Sequence, residues 1–306
     1  MPLVSIIMNV RNGAATLREA LDSVMAQTFP DWELIVWDDC STDASAAIVA
    51  EYRDPRVRYF LAPQDTSLGR ARTDAIRQAS GEWLAFLDQD DVWLSDKLAE
   101  QIKLAGPGVG LIYGRTVRFY PSGKQRDYDQ AHEFKPLPEG NIFSLLFTDS
   151  CFIAMSSAVF RRSAVEAAGG IHERVEIIPD YYLYTAVAAQ HHARAVQAVV
   201  CRYRMHGANT SEVMAIPMHL EVLWLLDYWA SRLDAKTLAL CRKRHYTAIA
   251  VEEMRHASTA FHGAQRLLTH GSVASQLQRP FLWLFHILRR NLLRPYWRRP
   301  GPSDPG

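Results

Sequence analysis

The sequence has few cysteines and almost no net charge, and both shortages exclude classes of protein. The four cysteines in 306 residues lie far apart and form no CxxC pair, so no zinc site or compact disulfide framework is indicated. The 34 Lys plus Arg against 33 Asp plus Glu give a formal charge of +1, which provides no general attraction to nucleic acid. We expect a protein of the reducing cytoplasm that has no nucleic-acid partner.

Long hydrophobic runs are also lacking. The opening residues MPLVSIIMNV carry neither the basic region nor the cleavage site of a signal peptide, so they predict a strand. The run from Phe281 to Leu288 falls well short of the roughly 20 apolar residues that a membrane-spanning helix needs. The sequence therefore predicts no transmembrane segment, and its 48% hydrophobic content predicts a sizeable globular core.

The first 115 residues alternate short apolar runs with amphipathic stretches, a pattern typical of βαβ units and a mostly parallel sheet. The predicted strands cover residues 4–8, 34–37, 57–60 and 83–87, and the predicted helices cover residues 15–27, 44–52 and 70–79. A further helix is expected near residues 180–189, and the chain turns helical again from about residue 212. The expected fold class is α/β, with a helical C-terminal extension.

Acidic residues follow two of these strands directly. Asp38 and Asp39 come after the second strand, and Asp88, Asp90 and Asp91 come after the fourth. Ligands bind beyond the carboxyl ends of the strands in open α/β sheets, so both clusters are expected at one crevice. The polar residues 41–43 are predicted to cap the helix that begins near residue 44, because Ser, Thr and Asp accept bonds from first-turn amides.

Asp88 and Asp90 are spaced to share one cation. Carboxylates this close repel each other, and a hard divalent ion such as Mn²⁺ or Mg²⁺ removes that cost and is often completed by substrate phosphates. The alternative is a solvated turn that caps the helix starting near Ser95. An EF-hand calcium loop is excluded, because Val92 and Trp93 occupy positions that would need oxygen ligands or glycine.

The combination of motifs resembles family 2 glycosyltransferases, which have the GT-A fold. The similar segments are PLVSIIM at 2–8 with Asn12, SVMAQT at 23–28, ELIVWDDCSTD at 33–43, GRAR at 69–72 and ASGEWLAFLDQDD at 79–91. Their order and spacing agree over about the first 105 residues. Weaker similarity continues to about residue 211, through GGIHE at 169–173, PDYYL at 179–183 and RYRMHGANTS at 202–211.

The resemblance implies roles for nine residues. The donor nucleotide would be bound by Asn9, Asp38, Asp39, Arg72, Asp88 and Arg204. The metal would be held by Asp88, Asp90 and His206, and the catalytic base would be Asp180. A carboxylate suits the imide N–H of uracil or thymine, and an inverting transfer needs a carboxylate to take the acceptor proton. Each residue also has a structural alternative: Arg72 as a solvated helix residue near Asp74, Asp180 as a helix cap, His206 as a structural histidine.

Three departures from the family pattern are visible. Arg11 stands where the family often has Tyr, Thr73 where it often has Asn, and Pro179 where a Glu usually precedes the catalytic Asp. The first two positions border the predicted donor pocket. The third lies beside the predicted base.

The expected organisation is a GT-A domain over residues 1–211 and a helical region over residues 212–306. Within the first, residues 1–115 would bind the nucleotide sugar and residues 116–211 the acceptor. The segment 279–299 contains six arginines and no acid, interleaved with aromatic residues. This composition predicts peripheral contact with an anionic membrane surface, with docking on the protein's own core and binding of nucleic acid as lesser alternatives.

The sequence favours an inverting, metal-dependent glycosyltransferase of hexosyltransferase type. We expect it to move a sugar from a nucleotide-sugar donor, UDP- or dTDP-linked, to a glycan or lipid-linked acceptor in cell-surface polysaccharide biosynthesis. The location would be cytoplasmic or at the cytoplasmic membrane face. The alternative is a non-catalytic module of the same fold that binds a nucleotide sugar or a glycan. A dinucleotide oxidoreductase is excluded, because no GxGxxG follows the first strand.

Overall fold

The computed structural model describes residues 2–120, 128–129, 135–148, 151–206 and 214–268. The strands are β1 (Val4–Val10), β2 (Trp32–Asp38), β3 (Val57–Leu61), β4 (Trp83–Phe86), β5 (Val92–Trp93), β6 (Val109–Phe119), β7 (Tyr128–Asp129), β8 (Val159–Arg161) and β9 (His192–Arg204). The helices are α1 (Leu17–Met25), α2 (Ser45–Ala50), α3 (Leu68–Ile76), α4 (Lys97–Ile102), α5 (Phe143–Thr148), α6 (Arg162–Ala167), α7 (Pro179–Ala188), α8 (Ala215–Tyr228) and α9 (Ala235–Leu268).

These strands form one mixed sheet in the order β3-β2-β1-β4-β8-β6-β9-β5, with β7 paired to β6. Strands β1 to β4 are mutually parallel where they pair, as the βαβ pattern predicts. Strand β8 lies antiparallel between β4 and β6, and β6 runs parallel to β9. The predicted α/β architecture is confirmed, and each predicted strand of the first 90 residues is present.

Alternate residues of the central strands supply two cores on opposite faces of the sheet. Ile7 and Phe86 belong to one buried cluster with helices α3, α5, α6, α7 and α8, and Ile6 and Ala85 belong to the other with α1, α2 and α4. This division follows from the period of two along a strand, which sends neighbouring side chains to opposite faces. Both faces of the sheet are covered, which agrees with central strands that are buried and mostly apolar.

Residues up to Ile249 form one compact unit, and a second unit begins at Ala250. The first unit includes α8, whose Val222, Leu225 and Leu226 are buried in the same core as α7. The predicted tail segment 279–299 lies outside the described residues, as does most of the polar loop between Tyr120 and Pro138. No helix in the described part of the chain combines the length and the apolar character needed to cross a bilayer.

Candidate active site

A cavity of about 950 Å³ opens where strands β1, β2 and β4 end. Its size is at the upper end of the range for small-molecule sites, roughly 300–1,000 Å³. Eight of the nine residues predicted from the sequence line it: Asn9, Asp39, Arg72, Asp88, Asp90, Asp180, Arg204 and His206. The parallel register of β1 with both β2 and β4 brings Asn9, Asp39, Asp88 and Asp90 together, because it places the carboxyl ends of all three strands at one edge. The other four residues come from α3, α7 and the end of β9.

Asp39 lies at one end of this cavity in a largely polar setting. Its side chain is buried and accepts hydrogen bonds from the Thr66 backbone N–H at 3.1 Å and the Thr66 hydroxyl at 3.2 Å. The half-exposed Arg11 approaches the same carboxylate at 3.4 Å and pairs with Asp65 at 2.9 Å. Asn9 also lines the wall, and its buried Nδ2 has no acceptor among the described residues. These groups suit the edge of a planar, hydrogen-bonding ligand.

Asp38 is the predicted site residue that the structure does not bring to the cavity. One of its carboxylate oxygens accepts the Ser41 N–H at 2.7 Å, and the other accepts the Tyr59 hydroxyl at 2.7 Å. The side chain is 1% exposed. Alternation along β2 explains the difference, because consecutive residues at the end of a strand point to opposite sides. Asp38 therefore holds the turn that follows β2.

The polar residues after β2 bind the neighbouring loop more than they cap α2. Ala44, which precedes α2, provides no side-chain cap, so the capping prediction is wrong for most of the cluster. Asp43 alone contacts the first turn, accepting the Ser45 N–H at 2.9 Å. The cluster also binds the β1–α1 loop: Ser41 Oγ accepts the Asn12 N–H at 2.9 Å, Asp43 accepts the Ala14 N–H at 2.9 Å, and the Thr42 N–H donates to Asn12 Oδ1 at 2.8 Å. These bonds fix the two loops that border the cavity.

The acidic turn after β4 is held by a serine from the other half of the sheet. The Ser156 hydroxyl accepts the Asp88 N–H at 3.1 Å and donates to Asp91 at 2.5 Å. Asp91 is buried and also accepts the Arg204 N–H at 2.9 Å, so it is internal to the turn. Asp88 and Asp90 are the two carboxylates left facing the cavity.

Charge is concentrated at this turn. Burial and the neighbouring charge of Asp88 raise the pKa of Asp90, and hydrogen bonding from His206 opposes the rise. Burial and the charges of Asp88 and Asp90 raise the pKa of Asp91 well above its usual value. Desolvated carboxylates this close disfavour their ionised forms, which is the condition a cation relieves.

Arg72 lies between the acidic turn and Asp180. It is 4% exposed, and one guanidinium nitrogen donates to Asp88 at 2.7 Å. Burial lowers the pKa of Arg72, and the charges of Asp88 and Asp180 outweigh that effect and raise it. The solvated alternative for this side chain is wrong, since it is Arg70 that pairs with Asp74 on the outer face of α3.

Asp180 is the second residue of α7 and lines the cavity. Helix α7 starts at Pro179, a position that suits proline because the first turn needs no N–H there. The carboxylate accepts its neighbour's amide, Tyr181 N–H, at 2.8 Å. Burial raises the pKa of Asp180, and Arg72 and the Tyr181 N–H oppose the rise. A carboxylate with a raised pKa at a cavity wall suits proton transfer.

His206 and Arg204 come from the end of β9. His206 Nε2 lies 2.7 Å from a carboxylate oxygen of Asp90. The Arg204 guanidinium donates to the Asp90 carbonyl at 2.7 Å and pairs with Glu19 at 2.6 Å, and it lies over the Phe119 ring. The rest of the predicted motif, residues 207–211, lies outside the described residues.

The side chains at this turn fit a divalent cation whose coordination is completed by a ligand. Asp88, Asp90 and His206 supply oxygen and nitrogen donors on one wall of the cavity. Within the described ranges, no group of three or more His, Cys, Asp or Glu side chains is already gathered closely enough to hold a metal ion. Phosphate oxygens from a bound ligand would therefore have to provide part of the coordination shell.

The model of the family described as glycosyl transferase family 2 matches residues 5–169, which is more than half of the 306-residue chain. The chain belongs to this family. The predicted family assignment is thus confirmed, and the mixed sheet is the GT-A architecture that it implies.

Three comparisons place this family 2 chain among known proteins. The Escherichia coli UDP-Glc:alpha-D-GlcNAc-diphosphoundecaprenol beta-1,3-glucosyltransferase WfgD is 40% identical over 113 residues, which cover 37% of this chain and 45% of that protein. The matched stretch is thus less than half of that relative's length. Staphylococcus aureus TarS 1-349, solved with UDP-GlcNAc, is 18% identical with a TM-score of 0.63, over 80% of this chain and 72% of that one.

A third similar protein is the mannosyltransferase PcManGT from Pyrobaculum calidifontis, solved in complex with GDP-Man and Mn²⁺. It is 20% identical with a TM-score of 0.61, and the match covers 98% of this chain and 88% of that one. At these identities, the two solved structures show a shared fold.

One loop of this family 2 chain passes close to the cavity without having been predicted as part of it. Residues 175–178 precede α7, and Ile177 and Ile178 line the cavity. The loop packs tightly on α3, since a Cβ added at Gly69 would lie 2.0 Å from the Val175 carbonyl oxygen. Glycine at 69 is therefore needed for the close approach of two backbones.

We expect Gly69→Ala to lower the free energy of unfolding by about 1–3 kcal/mol, because the new methyl group forces the 175–178 loop away from α3. The gain in helix propensity, about 1 kcal/mol, is smaller than a clash with rigid backbone at 2.0 Å. Urea titration followed by tryptophan fluorescence measures the change. Gly106→Ala is the matched control, because no atom lies within 4 Å of an added Cβ there, and it should change stability by less than about 0.5 kcal/mol.

The sequence reasoning missed several residues of the cavity and its support. Thr66 and Met218 line the wall, Gln89 exchanges two hydrogen bonds with the backbone of Arg11, and Ser156 holds the acidic turn. Arg11 was noticeable as a departure from the family pattern. Gln89 stands inside the 79–91 motif, between the two acids that the motif supplies, whereas Thr66, Ser156 and Met218 stand in stretches with no motif and reach the site only through the tertiary fold.

Proposed function

We propose that this protein is an inverting glycosyltransferase that binds a nucleotide sugar in the cavity and transfers the sugar to an acceptor hydroxyl. The observation that carries the proposal is the arrangement of three acidic positions around one cavity: Asp39 at one end, Asp88 and Asp90 on the acidic turn, and Asp180 across Arg72. A nucleotide base, a diphosphate and an acceptor hydroxyl each need one of these positions.

Asp39 would accept the imide N–H of a uracil or thymine ring. Arg11 and Asn9 lie beside it, and the buried, unpartnered Nδ2 of Asn9 is a donor that a nucleotide could satisfy. The donor would be UDP- or dTDP-linked. The WfgD relative is named for a UDP-Glc donor, and that name supports this choice of base.

Asp88, Asp90 and His206 would hold Mn²⁺ or Mg²⁺ together with the donor diphosphate. A bound divalent cation would neutralise charge that develops on the leaving diphosphate. The complex of PcManGT with Mn²⁺ supports this expectation. Arg72 would offset the charge of Asp88, to which its guanidinium donates at 2.7 Å.

Asp180 would act as the general base. It takes the proton of the acceptor hydroxyl while that oxygen attacks the anomeric carbon, a new glycosidic bond forms, and the bond from the carbon to the diphosphate breaks with its electron pair leaving on the diphosphate. Attack from the face opposite the diphosphate inverts the configuration. The raised pKa of Asp180 strengthens it as a base.

The acceptor would be a glycan or a lipid-linked sugar of cell-surface polysaccharide biosynthesis. The WfgD relative is named for transfer to a GlcNAc-diphosphoundecaprenol, and its name supports a lipid-linked acceptor. Such an acceptor would place the reaction at the cytoplasmic membrane face. The 279–299 segment remains the predicted membrane contact.

A calorimetric titration with UDP, dTDP, GDP, ADP and CDP, each with and without Mn²⁺, tests the donor site. We expect UDP or dTDP to bind in the presence of Mn²⁺ and the purine nucleotides to bind at least tenfold more weakly. Asp39→Asn should remove the preference for uracil or thymine. The amide can turn either its NH₂ donor or its oxygen acceptor toward the nucleobase, so it no longer selects for an imide N–H. Failure of every nucleotide to bind with Mn²⁺ would exclude the transferase function, and binding without turnover would favour the non-catalytic module.

A further inference from the structure

The carboxylate of Glu221, on α8, accepts hydrogen bonds from three consecutive backbone amides of the 175–178 loop. The Glu176 N–H lies 3.0 Å from one oxygen, the Ile178 N–H lies 3.1 Å from the other, and the Ile177 N–H contacts both. The partners are separated by 43 to 45 positions along the chain. Hydrogen bonds to an ionised acceptor are about twice as strong as those between neutral groups.

These amides immediately precede the helix that carries the proposed base. The next residue, Pro179, has no N–H and begins α7, and Asp180 follows it. The position of the Asp180 carboxylate along the cavity wall therefore depends on where the chain enters α7. Glu221 fixes that entry, and it does not itself line the cavity.

The 175–178 loop is held from a second side by α3. The Val175 carbonyl lies against Gly69, and Arg72 is one turn further along the same helix, beside both Asp88 and Asp180. On the other side, Met218 of α8 reaches the cavity one turn before Glu221. The loop is thus clamped between the helix that carries Arg72 and the helix that carries Glu221.

We propose that Glu221 is a positioning residue for Asp180, acting through the amides of residues 176–178. The proposal rests on the function proposed above, in which Asp180 is the general base. Loss of the carboxylate frees the loop and lets the start of α7 shift, and displacement of a reacting group by about 1 Å can cost 10²-fold in rate. Donor binding involves other walls of the cavity and is unaffected.

The test replaces Glu221 by Gln, which keeps the side-chain length and removes the charge and one acceptor oxygen. We expect kcat for sugar transfer to fall about 10- to 100-fold, while KM for the donor and the affinity for the bound nucleoside diphosphate with Mn²⁺ stay within about twofold. Asp227→Asn is the matched control. It removes another carboxylate of α8, one that pairs with Arg242 on α9, and it should leave kcat within about twofold.

The outcomes separate the two proposals. An active Glu221→Gln variant beside an inactive Asp180→Asn variant would overturn the positioning role alone. If Glu221→Gln lowers nucleotide affinity and the thermal midpoint as well as kcat, the residue only stabilises the fold. That result also overturns the positioning role. Wild-type transfer by Asp180→Asn would overturn the base assignment and the positioning role together.

Discussion

Replacement of Asp180 by Asn is expected to lower kcat for sugar transfer by about 10²- to 10⁴-fold, the range that general base catalysis contributes. The amide is nearly the same size as the carboxylate, and its oxygen can still accept the Tyr181 N–H. It cannot take a proton from the acceptor hydroxyl. The affinity for the donor nucleotide should change little, because the proposed nucleotide contacts are with Asp39 and the acidic turn.

Release of nucleoside diphosphate in the presence of acceptor measures this change, and calorimetry measures donor affinity in the same preparation. Asp74→Asn is a suitable control, since Asp74 lies on the outer face of α3 and pairs with Arg70 and Arg77. It should retain wild-type transfer. A fully active Asp180→Asn enzyme would mean that another group takes the acceptor proton.

The second large effect is expected at Asp90. We predict that Asp90→Asn abolishes the dependence of nucleotide binding on Mn²⁺ and lowers transfer by about 10³-fold or more, since the variant removes one of the two carboxylates proposed to hold the cation. Titration of wild type with a chelator should produce the same loss of transfer, and added Mn²⁺ should reverse it. The chelator should have no further effect on the variant.

Asp96→Asn is the control for this prediction, because Asp96 is an exposed acid beyond the same turn, and its carboxylate accepts the Thr28 hydroxyl at 2.9 Å. Its nucleotide binding should keep the wild-type metal dependence. Unchanged metal dependence in Asp90→Asn would mean that the turn around Asp88 is a solvated or purely structural element, which is the alternative that the sequence leaves open.

Much of the donor half follows from local pattern. The β1 to β4 strands and the acids behind them could be predicted, because period-two burial and the rule on carboxyl ends of parallel strands are both local in sequence. The roles of Asp38 and Asp39 could not be separated in this way. Which of two adjacent acids faces the cavity depends on the exact residue at which β2 ends, and the strand runs to Asp38, further than predicted.

The supports of the site were not predictable for a different reason. Ser156 stands in an apolar-looking stretch, and Glu221 stands in a largely apolar helix. Both act on backbone amides, and any polar side chain of suitable length can do so, so neither leaves a motif. Their partners lie 68 and about 44 positions away, and only the tertiary fold pairs them. The capping prediction for residues 41–43 failed similarly, because tertiary amides compete with those of the adjacent helix.

Strand β8 limits how the enzyme can be recombined with its relatives. Because β8 lies between β4 and β6 and Ser156 closes the acidic turn, the residues that complete the donor site come partly from beyond residue 150. A chimaera that joins residues 1–115 of this chain to the remainder of another transferase would exchange that strand and that serine together. Fusion points that keep residues 151–161 with their own β4 preserve the hydrogen bonds of Ser156 to the acidic turn.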